Sequence, residues 1–295
     1  MTSLSVVTPS FAPDFPLFRE LHASVLTWTD DDVIHHVVVP RRDVRLFSEL
    51  AGPRCRVLTL EDVVPRRMLG IPGRNVYVNV RRPFPPIRGW VMQQLLKLDL
   101  ARTIGTRLVL LIDSDVVLVR PIRTNDLIRD NVARFYRKPD AVHAGLERHL
   151  RWHATARELL GLPPGRPPFA DYISSFMLWD ATILSALKER IELVTGRPWL
   201  DAVGSKLHVS EWTLYGVFVD HAMDSAAASF SAGTSLCHSY WESVPLTVNT
   251  ATDFLTQISE HDVAVMIHSK SGTPLTVRQQ VLGPVARGLA RLPVT

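Results

Sequence analysis

Asp113 and Asp115 stand in the middle of an apolar run, RLVLLIDSDVVLVRP, at 107–121. Burying one carboxylate is costly unless it is paired, and a second raises the cost. RLVLLI reads as a strand buried on both faces, and in open α/β sheets ligands collect beyond the carboxyl ends of such strands. In an extended backbone, residues two apart project to the same side. Asp113 and Asp115 are therefore expected to face one spot, with Ser114 between them turned away. Two carboxylates converging there repel unless a cation or a proton intervenes. A hard divalent metal resolves the repulsion, prefers oxygen ligands and keeps positions open for substrate phosphates. The pair points to a metal bridging the chain to a diphosphate and neutralising charge on a phosphate leaving group. The plain alternative is a turn or cap, because aspartates often end strands by satisfying local N–H groups.

The elements that must position these residues alternate along the first third of the chain. LSVVTP, VIHHVVVP and CRVLTL read as strands, and FPLFRELHASVL and VRLFSEL have apolar residues at helical spacing. Such alternation predicts a parallel sheet with helical crossovers. Residues 64–89 are rich in Pro, Gly and Arg and read as a long irregular loop, with a short hairpin at NVYVNV; long loops in compact domains often act as lids. WVMQQLLKLDLARTIG then predicts an amphipathic helix ended by Gly105. Gln94 and Lys97 are three apart on it and share a face. Lys97 either reaches a phosphate or is a solvated surface lysine. In the second half, 147–161, 181–196 and 210–222 read as helices, the last behind a serine N-cap, and 172–180 as a strand. DVAVMIHSKSGTP reads as a strand running into a polar loop. The final amphipathic segment, 275–292, is broken at Gly283-Pro284. A boundary near 125 is conceivable, but the reading is one domain, 1–295, with a first part at about 1–124 and a second at about 125–295.

Composition bounds the function. The 295 residues are 46% hydrophobic and 21% charged, an ordinary globular mixture. No uninterrupted apolar run is long enough for a membrane span. The N-terminus lacks a basic leader and reads as structure, not as a signal peptide. Cys55 and Cys237 fit no metal or redox spacing and suit a reducing cytoplasm. Only five of the 33 basic residues are lysines. Arginine forks onto phosphate oxygens, yet no basic run is dense enough to argue for nucleic acid.

The order of apolar strand, D-x-D, short apolar strand and RP, behind a helix such as QQLLKLDLA, resembles the GT-A-fold nucleotide-sugar glycosyltransferases. The resemblance is to their glycogenin-like and bacterial galactosyltransferase-like group, and still more to an uncharacterised bacterial glycosyltransferase-like family with openings such as VVTPSFAPDF, GWVMQQLLKL, IDSDVVLVRP and SEWTLYG. It runs in order from about Val6 to His268. It implies a GT-A-like, Rossmann-like α/β fold with a mixed, mostly parallel central sheet flanked by helices. It also implies a nucleoside diphosphate sugar donor, a hydroxyl-bearing acceptor (a glycan or small natural product), and Mn²⁺ or Mg²⁺ on the D-x-D carboxylates. Asp115 is then the chief metal ligand. Asp113 lies on the metal or the donor ribose, and Ser114 is counted with the donor-binding positions. Residues 1–124 would hold the donor and 125–295 the acceptor. The first strand and its loop, with Thr8 and Ser10, would meet the base; simple turn chemistry explains them equally. His268 would complete the metal shell and Lys270 would hold the diphosphate, although the order of His268, Lys270, Gly272 and Pro274 departs from the glycogenin-like pattern. A lone histidine is otherwise a structural residue. YISSFMLWD takes the place of the acceptor-side strand, with Ser174, Ser175 and Phe176 replacing the family's asparagine and glycine. Glu211 in SEWTLYG becomes the candidate carboxylate near the anomeric carbon or acceptor hydroxyl. Its alternative role is a first-turn glutamate favouring the helix dipole. Asp171 is the second catalytic candidate. Trp212, Tyr215, Tyr240 and Trp241 could stack on sugar faces or belong to the core. The 66–88 loop would close over the donor and exclude water. Glycogenin-like resemblance further implies retention of anomeric configuration.

Two rival readings remain. LLIDSDVVLV also resembles motif one of haloacid-dehalogenase-type phosphatases, in which Asp113 would be phosphorylated and Asp115 would protonate the leaving group. That motif normally opens its domain, whereas here an α/β pattern precedes it and the later acidic pair is missing. A non-catalytic nucleotide-sugar-binding protein is the other alternative.

Overall fold

A computed structural model describes residues 4–71, 74–130, 132–223 and 229–290. Its centre is a five-stranded sheet built from the β-branched and aliphatic runs of the sequence. In spatial order the strands are Phe176–Asp180, Leu108–Ile112, Leu4–Pro9, Ile34–Val39 and Cys55–Thr59. The last four run parallel, and Phe176–Asp180 lies antiparallel against Leu108–Ile112. Every residue of Leu108–Ile112 is buried, as a strand covered on both faces requires. The architecture is the expected mixed, mostly parallel α/β sheet.

Helix Phe15–Trp28 covers one face, with Phe18, Leu21 and Val25 packed against Val6, Val37 and Leu110. Helices Gly89–Ile104, Ala181–Thr195 and Glu211–His221 cover the other, around Leu95, Val109, Met177, Trp179 and Leu187. Gly105, at φ +74°, ends the first of these, as its sequence predicts. Gly216 lets Glu211–His221 come close to the Tyr172 ring, which a Cβ at that position would meet at 2.2 Å.

Beyond Ile112 the chain leaves the central sheet. Val116–Leu118 joins a second small sheet, antiparallel to Ala264–Ile267, which in turn runs parallel to Cys237–Tyr240. A third apolar cluster, with Val117, Val265, Leu255 and Leu282, sits beneath it.

Three expectations are corrected. Residues 64–89 are not an irregular loop. Apart from 72–73, which lie outside the described residues, they hold a three-stranded antiparallel sheet of Met68–Gly70, Val76–Asn79 and Arg82–Arg88. Pro83, Pro85 and Pro86 fall on an edge strand, where a missing N–H is tolerated. Asp201 pins this sheet to the Trp199–Gly204 helix, accepting from Asn79 Nδ2 at 2.7 Å and Arg67 Nη2 at 3.3 Å. The strand expected at 172–180 is only Phe176–Asp180, because Phe169–Asp171 pairs separately with Lys138–Val142. The final helix is not broken at Gly283-Pro284 but runs Leu275–Ala286 with Pro284 inside. Pro284 lies in the last turn, where the lost amide disrupts little of the helix; 291–292 lie outside the described residues.

Candidate active site

The D-x-D residues emerge at the carboxyl edge of the parallel strands, but not in extended backbone. Asp113–Val116 is a turn closed by the Val116 amide donating to the Asp113 carbonyl at 3.1 Å. The turn is what lets the chain pass from one sheet to the other. Each carboxylate takes a different partner, and the charge of Asp113 still acts on Asp115.

Asp113, its side chain 47% exposed, lies 3.3 Å from Lys97 Nζ. Lys97 projects from the Gly89–Ile104 helix, and its Nζ also lies 3.1 Å from Glu211 Oε1 and 4.8 Å over the Trp212 ring. Lys97 is therefore not a solvated surface lysine: it is 8% exposed. Burial works against its charge, but Asp113 and Glu211 outweigh burial and hold it protonated, above the ordinary lysine range. Glu211 is the first residue of its helix, behind the Ser210 cap, and is sealed from solvent. Burial pushes its carboxyl upward, and Asp113 adds to this, while Lys97 opposes both.

Asp115 is buried. Its Oδ2 accepts the Ser269 amide at 2.8 Å, and its backbone carbonyl accepts from Arg278 Nη2 at 2.9 Å. Arg278 is itself buried and also donates to the Ile267 carbonyl, tying the D-x-D turn to the strand that ends in His268. Burial and the Asp113 charge raise the Asp115 pKa, and the Ser269 amide, Arg278 and His268 pull it back. The register Val116 opposite Met266 brings His268 level with the turn. His268 Nδ1 is buried without a hydrogen-bond partner.

Sequence reasoning missed two contributors. Asp14 occupies the N-cap position of the Phe15–Trp28 helix but makes no capping bond. Its pKa is raised by burial and then by Asp115 and Asp113, so it belongs to the same acidic edge. An aspartate in the first strand-to-helix loop of an α/β sheet was the available signal. Arg278 gave none, being one arginine among many.

Other expected positions are placed elsewhere. Thr8 is fully buried, with its hydroxyl 2.9 Å from His35 Nε2, and so does not face a ligand. The Ser114 hydroxyl donates to Ser10 at 2.9 Å, which spends both on holding the turn to the first strand. Gln94 Nε2 donates back to the Trp90 carbonyl. Asp171 is not part of the network: its Oδ1 accepts the Ile173 amide, and its charge acts on Tyr136. Tyr215 is core, stacked on Trp179 at 5.5 Å, and Trp212 lies under Lys97. Trp241 is 51% exposed with its ring 5.8 Å from His268. Lys270 is exposed two residues beyond His268.

The family model of DUF6492, described as a family of unknown function, matches residues 3–281. The chain belongs to the DUF6492 family. No curated protein matches it. Solved structures similar to this DUF6492 chain include an active-site mutant of LgtC, at 14% identity, 98% of this chain, 97% of that one and TM-score 0.48. Apo WbbM, a bifunctional glycosyltransferase, matches at 12% identity and TM-score 0.49 over 90% of this chain; the match covers 45% of WbbM. Apo mouse xyloside xylosyltransferase 1 matches at 13% identity and TM-score 0.48, over 92% of this chain and 99% of that one.

The donor set can be tested for a metal. Asp113, Asp115 and Glu211 set three potential negative charges against Lys97 and Arg278, and His268 Nδ1 has no hydrogen-bond partner. Among the described residues no cluster of three or more His, Cys, Asp or Glu is gathered tightly enough to hold an ion alone. The described residues therefore make no all-protein cage, and the oxygen donors Asp113 and Asp115 suit a hard cation only where other ligands complete its shell.

Proposed function

We propose that this DUF6492 chain is a metal-dependent glycosyltransferase that moves a sugar from a nucleoside diphosphate donor to an acceptor hydroxyl. The observation that carries the reading is the convergence of Asp113, Asp115, Lys97, Glu211 and His268, from four separate elements, on the carboxyl edge of the sheet with carboxylates in excess. The motif resemblance supports the same assignment, with residues up to about 124 meeting the donor and retention as the stereochemical outcome.

Asp115 and Asp113, with His268, would hold Mn²⁺ or Mg²⁺, which when bound neutralises the donor diphosphate and the charge left on the departing phosphate. Lys97, kept cationic between two carboxylates, sets the position of Asp113. Glu211 serves as the buried anchor of Lys97, since its carboxylate is sealed against solvent. Arg278 holds the backbone of the turn at the Asp115 carbonyl. The segment expected to close over the donor is the sheet of Met68–Gly70, Val76–Asn79 and Arg82–Arg88, so closure would move that sheet and not an irregular loop.

Asp115→Asn is the decisive variant. Its carbonyl oxygen can still accept the Ser269 amide, so the fold is kept while a metal-binding charge is lost. Calorimetry with Mn²⁺ and a panel of nucleotide sugars should show metal-dependent donor binding in the wild type and its loss in the variant. Equal affinity in both would refute the site. Turnover separates the alternatives: donor consumption marks a transferase, inorganic phosphate release from phosphomonoesters a phosphatase, and binding without either a non-catalytic protein.

A further inference from the structure

Between Asp62 and Asp99 the sequence has no acidic residue and six arginines. This stretch forms the Met68–Gly70, Val76–Asn79 and Arg82–Arg88 sheet, which turns Met68, Tyr77 and Ile87 inward. Alternation places Leu69 opposite Val78, and Val76 opposite Arg88, on the other face. The solvated face of an antiparallel sheet is ordinarily polar; this one is aliphatic. Leu69 is 55% exposed, and Val80, which follows Val78 by two, is 59% exposed. In the same stretch Arg66, Arg74, Arg81 and Arg88 are exposed, Arg88 on this face opposite Val76, and among the described residues none of the four pairs with a carboxylate; Arg82, opposite Asn79, is exposed on the other side of the sheet. The sixth, Arg67, is the one spent on Asp201, which holds the sheet to the body of the protein.

We propose that this outward face rests on an anionic phospholipid surface. Exposed aliphatic side chains enter the headgroup boundary while the neighbouring arginines meet lipid phosphates, the division of labour of interfacial association. Charge complementarity is one-sided, because the stretch has no carboxylate to repel the surface. A nucleic acid would use the arginines but would leave the Leu69, Val76, Val78 and Val80 cluster in water. Association is by lying on the surface: among the described residues no helix is long and apolar enough to cross a membrane. The proposal goes beyond the transferase reading and does not depend on it.

The test is cosedimentation of the full chain with phosphatidylcholine vesicles and with vesicles rich in phosphatidylglycerol, at low and high salt. The wild type should sediment with the anionic vesicles only, and less so in high salt. At about fivefold in partitioning per basic residue near such a surface, Arg74→Ser/Arg81→Ser/Arg88→Ser should weaken association on the order of a hundredfold. Leu69→Ser/Val80→Ser should weaken it further at high salt, where the charge contribution is screened. All five positions are exposed, so unchanged circular dichroism is expected and serves as the folding check. No sedimentation with anionic vesicles, undiminished binding by both variants, or tight binding to duplex DNA or single-stranded RNA in place of vesicles would overturn the proposal.

Discussion

Removing the Lys97 cation should make the stability of this protein depend steeply on pH. Lys97→Met keeps the length of the side chain over Trp212 and deletes the charge that lies 3.1 Å from Glu211 and 3.3 Å from Asp113. Asp113 is half exposed and can turn to water, but Glu211 is sealed. Breaking a buried pair by removing one partner costs about 3–5 kcal/mol when the other must stay charged. Glu211 has an escape, which is to take a proton. Its native pKa already lies above 4.5 with Lys97 present, raised by burial and by Asp113 against the pull of Lys97; without Lys97 it must rise further. The sign follows. Between 4.5 and the raised native value the folded state binds more protons than the unfolded chain, so stability falls as pH rises, by at most about 1.4 kcal/mol per pH unit for one group. Urea denaturation of the wild type, Lys97→Met and Lys97→Met/Glu211→Gln at pH 5, 7 and 8.5 measures it. The single variant should be close to wild type at pH 5 and lose roughly 3 kcal/mol or more by pH 8.5. The double variant should recover much of that loss and flatten the pH dependence. A destabilisation equal at all three pH values, or no recovery on adding Glu211→Gln, would mean that packing, not charge, is what Lys97 supplies.

Two further outcomes follow from the supports of the site. Arg278→Lys keeps a positive charge but cannot bridge the Asp115 and Ile267 carbonyls in fixed geometry; leaving one buried carbonyl unsatisfied should cost about 1–3 kcal/mol in urea denaturation, and a variant as stable as wild type would refute the tie. Gly216→Ala places a methyl where the Tyr172 ring stands, at 2.2 Å, and should lower stability by about 1–3 kcal/mol or more. An unchanged melting temperature would show that the helix can back away freely.

What could be read from the sequence divides by range. The central strands were legible because each is a buried aliphatic run, and Gly105 and Ser210 marked helix ends through local backbone chemistry. The D-x-D pair was legible as an anomaly, two charges where the pattern demanded none. The direction of Phe176–Asp180 and the partner of Val116–Leu118 were not, since both depend on pairings with distant strands. The 64–89 segment misled because Pro, Gly and Arg are the residues of loops, yet strands of three to seven residues with the prolines on an edge need little else. Lys97 offered no sign that it was buried. Its partners lie on a turn and a helix start far along the chain, and only their meeting makes a lysine on that helix face affordable.

The same point explains why the site has two cations, Lys97 and Arg278, for four nearby carboxylates, Asp14, Asp113, Asp115 and Glu211. If the edge served the fold alone, pairing each charge or replacing it with an apolar residue would be the stable solution. Instead Asp115 is buried with its pKa raised, Asp14 is raised by the same neighbours, and His268 keeps a buried nitrogen without a partner. Places where a fold departs from local consistency are where function is expected to reside. The departure here has a sign: it is a deficit of positive charge at the rim of a parallel sheet. A ligand that brings a divalent cation corrects it, and an anion arriving without one would worsen it. Under the proposed function, donor and metal binding would then be linked in both directions, each ligand tightening the other by the same factor.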